Sequence, residues 1–169
     1  MQPWEDISVD LVTRLPMDQG FNSVCTVVDR FSKEVNVFPV TSALTAQELA
    51  TEFKERVWRK HRLPKSILSD RGPQFISGFW QELLECLDIK SQMTFPYHPQ
   101  GDGQTERMQR MWLQYLCLYA KEKDWVSWLT PMEFAYNNTV HKAIGCTPFS
   151  LSWTYLPLTG MEPGRKENP

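Results

Sequence analysis

No run of apolar residues in this 169-residue chain approaches the roughly 18 that a membrane-spanning helix needs, and the first residues lack the apolar stretch of a secretory signal. Cysteine is scarce and scattered. Cys25, Cys86, Cys117 and Cys146 form no CxxC pair, which argues against a structural zinc site and for buried, reduced thiols in an intracellular setting. The three histidines, His61, His98 and His141, are spaced too widely to complete a zinc finger with them. An excess of positive charge is missing too: the net charge is −2 and the pI near 5.9, where nucleic-acid binders usually show a basic balance. The total conceals an asymmetry, because Lys54, Arg56, Arg59, Lys60, Arg62, Lys65 and Arg71 are opposed over their span only by Glu55 and Asp70. A basic run of this kind serves either as a solvated helix face or as a phosphate-binding surface.

With 41% hydrophobic and 22% charged residues, the chain can bury one sizeable core. Its order is α/β. Ile7, Val9 and Leu11 alternate with Ser8, Asp10 and Val12, as the two faces of a strand do. Ser23 to Asp29 and Glu34 to Val40 extend this to a three-stranded antiparallel meander. Thr45-Ala46-Gln47-Glu48 is a capping box opening a helix with Leu49, Phe53 and Val57 inward, which must end before Pro64. A strand at Ser66 to Ser69, a helix at Phe79 to Leu87 with Phe79, Leu83, Leu84 and Leu87 inward, and a strand at Ile89 to Phe95 follow. Alternating strands and helices imply parallel pairing with right-handed crossovers. A helix from Thr105 to about Lys121 carries an apolar stripe of Met108, Met111, Trp112, Tyr115, Leu116 and Tyr119, read as core or subunit contact. Another begins at Asp124-Trp125, broken or kinked near Pro131, and Thr147-Pro148 caps a last one. Most of the seven tryptophans are expected to serve packing. Residues 1–160 read as one unit, and 161–169 as a polar tail.

Within this frame three acids stand out. Asp10 lies mid-strand, Asp70 ends an apolar run, and Glu106 closes a turn-rich loop at a helix start, with 35 residues between the last two. Carboxylates on three elements can hold a pair of divalent ions for phosphoryl transfer. Glu106, near a helix N-terminus, is favoured in its ionised form. Gly101 and Gly103 let the preceding loop move around a bound strand.

These acids, with Val28-Asp29-Arg30-Phe31-Ser32-Lys33, Ser69-Asp70-Arg71-Gly72-Pro73-Gln74-Phe75, His98-Pro99-Gln100 and Gln104-Thr105-Glu106-Arg107, resemble the D,D-35-E catalytic core of retroviral and LTR-retrotransposon integrases, the gypsy class in particular. The likeness runs from about Trp4 to Tyr155, through Phe134-Ala135-Tyr136-Asn137-Asn138 and Thr147-Pro148-Phe149. Gly101 departs from the pattern, where threonine is usual. The resemblance implies a ribonuclease H-like fold, a five-stranded mixed sheet flanked by helices. It also implies DNA 3′-end processing and strand transfer by Asp10, Asp70 and Glu106 with two Mg2+ or Mn2+ ions, on retroelement and target DNA, in the nucleus. It places Tyr97 and Gln100 beside the reacting DNA end. Arg71, Gln104, Arg107 and Arg110 flank the acids as candidate DNA contacts, and His98 reads either as a general base or as a structural hydrogen-bonding group. A homodimer or higher oligomer is expected, since two DNA ends must be synapsed. Family members usually add a zinc domain before the core and a binding domain after it; neither is visible, so the chain reads as an isolated core. A host-domesticated binding domain and another ribonuclease H-like nuclease or transposase are the alternatives.

Overall fold

A computed structural model of the protein describes residues 2–93 and 124–153. The meander forms where alternation places it: β1 (Asp6–Val12), β2 (Ser23–Asp29) and β3 (Val35–Val40) pair antiparallel. Asp29 builds the turn between β2 and β3. Fully buried, it accepts the backbone N–H groups of Phe31 (3.2 Å) and Ser32 (3.0 Å) and the Ser32 hydroxyl (2.5 Å), and Lys33 adopts a positive φ of 65° there. The string from Val28 to Lys33 thus serves the turn, by the local side-chain bonding for which aspartate and serine are suited.

α1 (Ala46–Phe53) opens with the expected capping box, Glu48 N–H donating to Thr45 Oγ1 and Thr45 N–H to Glu48 Oε2. It continues into one π-helical stretch (Lys54–Trp58), and β4 (Ser66–Ser69), α2 (Pro73–Ile76), α3 (Gly78–Cys86) and β5 (Lys90–Met93) follow. The sheet order is β3-β2-β1-β4-β5, with β1 antiparallel to β2 and parallel to β4. On one face Ile7, Val9, Val27, Phe38, Leu49, Phe53, Ile67, Phe75, Trp80 and Leu84 form the larger core. On the other, Val24, Val28, Val35 and Val37 meet Trp125 and Leu129 of α4 (Trp125–Asn137).

Three expectations are corrected. Phe79 is 40% exposed, and Trp80, 1% exposed, takes the inward position, because α3 begins at Gly78 behind the Ser77 cap and its phase turns residues 80 and 84 to the sheet. Of the described cysteines only Cys25 is buried; Cys86 is exposed and Cys146 half-buried. Pro131 does not break its helix. α4 is continuous because it is fastened at both ends: Val126 N–H donates to Asp18 Oδ2 (2.8 Å) and Trp125 Nε1 to the Pro16 carbonyl (2.8 Å) at the start. At the far end its side chains complete the open edge of β3. Asn137 Oδ1 accepts Val35 N–H (2.8 Å) and its Nδ2 donates to the Val35 carbonyl (2.7 Å), while a Glu133 carboxylate oxygen accepts Val37 N–H (2.7 Å). An edge strand must have these groups met, and here one helix meets them.

The basic run is mostly consumed by ion pairs. Arg56 faces Glu52, Arg59 faces Glu55 (3.4 Å), and Arg62 and Lys65 approach Glu5 (4.0 and 2.7 Å). All are surface pairs of the kind worth about 0–1 kcal/mol, so this stretch behaves as a solvated face. α5 (Pro148–Ser152) starts on the Thr147 cap, and beyond it Trp153 Nε1 donates to Glu34 Oε1 (3.2 Å). The other oxygen of Glu34 accepts Trp4 Nε1 (2.9 Å), and His61 stacks on the Trp4 ring at 3.6 Å. Burial lowers the His61 pKa to about 4, so the ring is neutral in this stack.

Burial also raises the Glu133 carboxyl from its ordinary 4.5 to about 7, against the Val37 N–H bond and the positive charges of Lys60 and Arg56, with Glu34 adding to the rise. The folded value exceeds the unfolded one, so ionised Glu133 costs stability that is absent below pH ~4.5 and fully present above pH ~7. Glu133→Gln keeps an oxygen for Val37 and drops the charge. It should stabilise the fold by about 1–3 kcal/mol at pH 8 and change little at pH 4, as measured by denaturant unfolding at the two pH values.

Candidate active site

Asp10 sits in β1, the central strand, opposite Thr26 of β2. On its other side Val9 pairs with Ser69, so Asp10 and Asp70 are the next residues along two adjacent parallel strands. Side chains at matched positions of neighbouring strands project from the same face. The face is that of Ser8 and Val28, the side on which α4 packs, while Val9, Ile7 and Ile67 serve the opposite core. Both acids lie toward the carboxyl ends of their strands, where open α/β sheets place their ligand sites.

The two acids differ in surroundings. Asp10 is half-buried and Asp70 exposed. Leu11 N–H donates to Asp10 Oδ1 (2.9 Å), and Gly72 N–H donates to Asp70 Oδ1 (2.9 Å). Burial pushes the Asp10 carboxyl above its usual range, the negative charge of Asp70 pushes it further, and the Leu11 bond opposes both. The two carboxylates are near enough for the charge of Asp70 to bear on Asp10. A cation placed between them relieves both unfavourable effects.

Arg71 is exposed next to Asp70. Glu106, Tyr97, His98, Gln100, Gln104, Arg107 and Arg110, with the apolar stripe from Met108 to Tyr119, lie outside the described residues. Among the described residues no group of three or more His, Cys, Asp or Glu side chains is gathered as a metal centre. Asp10 and Asp70 are two of the three acids that the resemblance implies, and the third, Glu106, is among the residues not described. Sequence reasoning missed the two backbone donors, since N–H groups leave no residue-type signal. It also missed Glu133 and Asn137, although the Phe134 to Asn138 string lies over the second of them.

Because Asp10 holds its proton more tightly when folded than when unfolded, its ionised form costs stability above the folded pKa, a cost that is absent below the unfolded value near 3.8. Asp10→Asn should therefore raise the metal-free melting temperature at pH 7 and lose that advantage below pH ~4. Calorimetry across this range checks both the sign and the window.

Residues 2–99 match the family profile described as "Integrase core domain". The chain is 35% identical over 158 residues to the Transposon Tf2-3 and Tf2-4 polyproteins of Schizosaccharomyces pombe, matching 92% of this chain and 12% of theirs. It thus spans about an eighth of the length of the curated relatives it matches. The fold matches a chain in the complex of the simian T-cell lymphotropic virus intasome with PP2A regulatory subunit B56 gamma, with a TM-score of 0.73 and 19% identity over 99% of this chain and 61% of that one. It also matches the catalytic core domain of BIV integrase (TM-score 0.68, 20% identity, 88% of this chain and 93% of that one). A third match is the HTLV-2 integrase catalytic core domain in complex with magnesium (0.68, 20% identity, 90% and 99%). Retroviral integrase cores are ribonuclease H-like, and so is the five-stranded mixed sheet described above. This chain belongs to the integrase core domain family.

Proposed function

We propose that the chain is the catalytic core of a retroelement integrase, which hydrolyses a DNA 3′ end and then joins the freed 3′-hydroxyl to a target phosphodiester in the nucleus. The observation that carries this reading is the register of β1 with β4, which brings Asp10 toward Asp70, the residue that follows β4, with the charge of one felt by the other. Two carboxylates and no soft ligand suit a hard divalent cation, so the residues present fit Mg2+ or Mn2+. Asp10 and Asp70, completed by Glu106, would hold two such ions. Bound there, the ions would activate the attacking oxygen and stabilise the leaving one. The HTLV-2 core solved with magnesium supports the choice of metal, and its dimeric and trimeric forms support self-association of this chain.

The protein's own contribution is placement. Asp10 is held by a central strand with neighbours on both sides and by Leu11 N–H, so its position is set before substrate arrives. Asp70 stands exposed at the strand end, where a DNA phosphate can approach. Arg71, Arg107 and Arg110 are assigned to phosphate contacts, and Tyr97, His98, Gln100 and Gln104 to the DNA end.

Glu106→Gln tests the reading, because it preserves shape and removes charge. With model DNA ends in Mn2+, using the full-length protein if the core is silent, strand transfer should fall by at least about 10²-fold, while DNA affinity stays within a small factor. Saturating Mn2+ should raise the melting temperature of the wild type by roughly 5–10 °C at 100 times Kd, and that of Asp10→Asn by far less. Equal strand transfer by wild type and Glu106→Gln would remove the triad from the mechanism. A wild type inactive even at full length would favour a domesticated binding domain.

A further inference from the structure

Glycine is ordinarily required where the backbone turns left-handed or where two chains approach closely. Gly72 meets neither condition. Its φ of −58° and ψ of 149° are open to any residue, and it precedes Pro73 at the start of α2. What excludes a side chain is the neighbouring acid. A Cβ built at Gly72 would lie 3.0 Å from Asp70 Oδ1 and 3.4 Å from Cδ2 of Phe75, a ring with no exposed surface. The carboxylate occupies that space because Gly72 N–H donates to the same Oδ1 at 2.9 Å.

The neighbours differ in their ability to yield. Phe75 is locked in the larger core with Trp80, whose ring packs edge-on at 6.0 Å. Asp70 is exposed, follows the last residue of β4 and has one short rotatable side chain. A methyl group at position 72 would therefore press the carboxylate aside by a few tenths of an ångström and leave the core in place. The single bond between Gly72 and Asp70 would be strained or broken by the same movement.

We propose that Gly72 is a positioning residue: its N–H aims the Asp70 carboxylate, and its missing side chain leaves the room in which that carboxylate must stand to bind the cation. This rests on the metal-dependent reading above. The backbone freedom of Gly72 is not involved, only its hydrogen bond and the volume it leaves open. Residues that orient a metal ligand by hydrogen bonding typically change metal affinity by about 10–100-fold when altered, and Gly72→Ala falls in that class.

The test is a double-mutant cycle on Mn2+ affinity, read by titration calorimetry or by the paramagnetic resonance of free Mn2+, with Gly72→Ala, Asp70→Asn and the two combined. Metal-free melting temperatures are recorded alongside. The expected result has three parts. Gly72→Ala melts within a degree or two of the wild type, binds Mn2+ at least about tenfold more weakly, and adds nothing to the loss caused by Asp70→Asn. Full additivity of the two losses would overturn the proposal, since Gly72 would then act on something other than Asp70. So would a collapse in the melting temperature of Gly72→Ala, which would assign the glycine to the fold. If Asp70→Asn weakens Mn2+ binding and Gly72→Ala does not, the metal site stands and only the role of Gly72 falls. If Asp70→Asn itself leaves Mn2+ affinity unchanged, the metal reading fails and takes this proposal with it.

Discussion

Two carboxylates of like charge repel when brought together, and the fold holds Asp10 and Asp70 side by side regardless. The repulsion is a standing cost, so the elements that carry the acids must be stiff enough to resist it. β1 is suited to the task because it has a strand on each side, antiparallel β2 and parallel β4. Its inward residues Ile7 and Val9 are 0% and 3% exposed, which ties the strand to the larger core on the face away from the acids. The larger core lies on one face of the sheet, and the acids lie on the other, beside the smaller core under α4. Active sites commonly keep such repulsion because the charge of the ligand relieves it.

The periodic elements were legible in the sequence, and the reason is plain. Alternation in β1, the Thr45 and Glu48 capping box and the Thr147-Pro148 helix start are local signals, written within a few residues of where they act. Asp10 and Asp70 were singled out by their motifs, but the register of β1 with β4 that brings them toward each other is written nowhere near either of them. What was illegible depends on partners far along the chain. Trp80 rather than Phe79 faces the core because the Ser77 cap sets the phase of α3. Pro131 is tolerated because Asp18 and Pro16 hold one end of α4 and the edge of β3 holds the other. A proline removes one helical hydrogen bond, and tertiary fastening outweighs that local loss.

Buried acids outside the site show a second use of carboxylates in this fold. Asp29 and Glu34, 0% and 4% exposed, are satisfied by short-range donors: backbone N–H groups and a hydroxyl for one, indole N–H groups for the other. Each acid organises a bend or a junction, where an apolar residue would leave the surrounding donors unpaired. Motif strings that look catalytic by their acidity, such as Val28 to Lys33, are in this way architectural.

The junction at Glu34 joins two points that are far apart in the chain, Trp4 and Trp153, through the two oxygens of one side chain. Mechanical load applied between those tryptophans is therefore carried first by a pair of indole hydrogen bonds, shunted past the strands. Traction on the chain at either tryptophan would reach this small, re-formable fastening before the sheet. The spacing of Asp10 and Asp70 depends on a different set of bonds, the ladder between β1 and β4 that ends one residue before them.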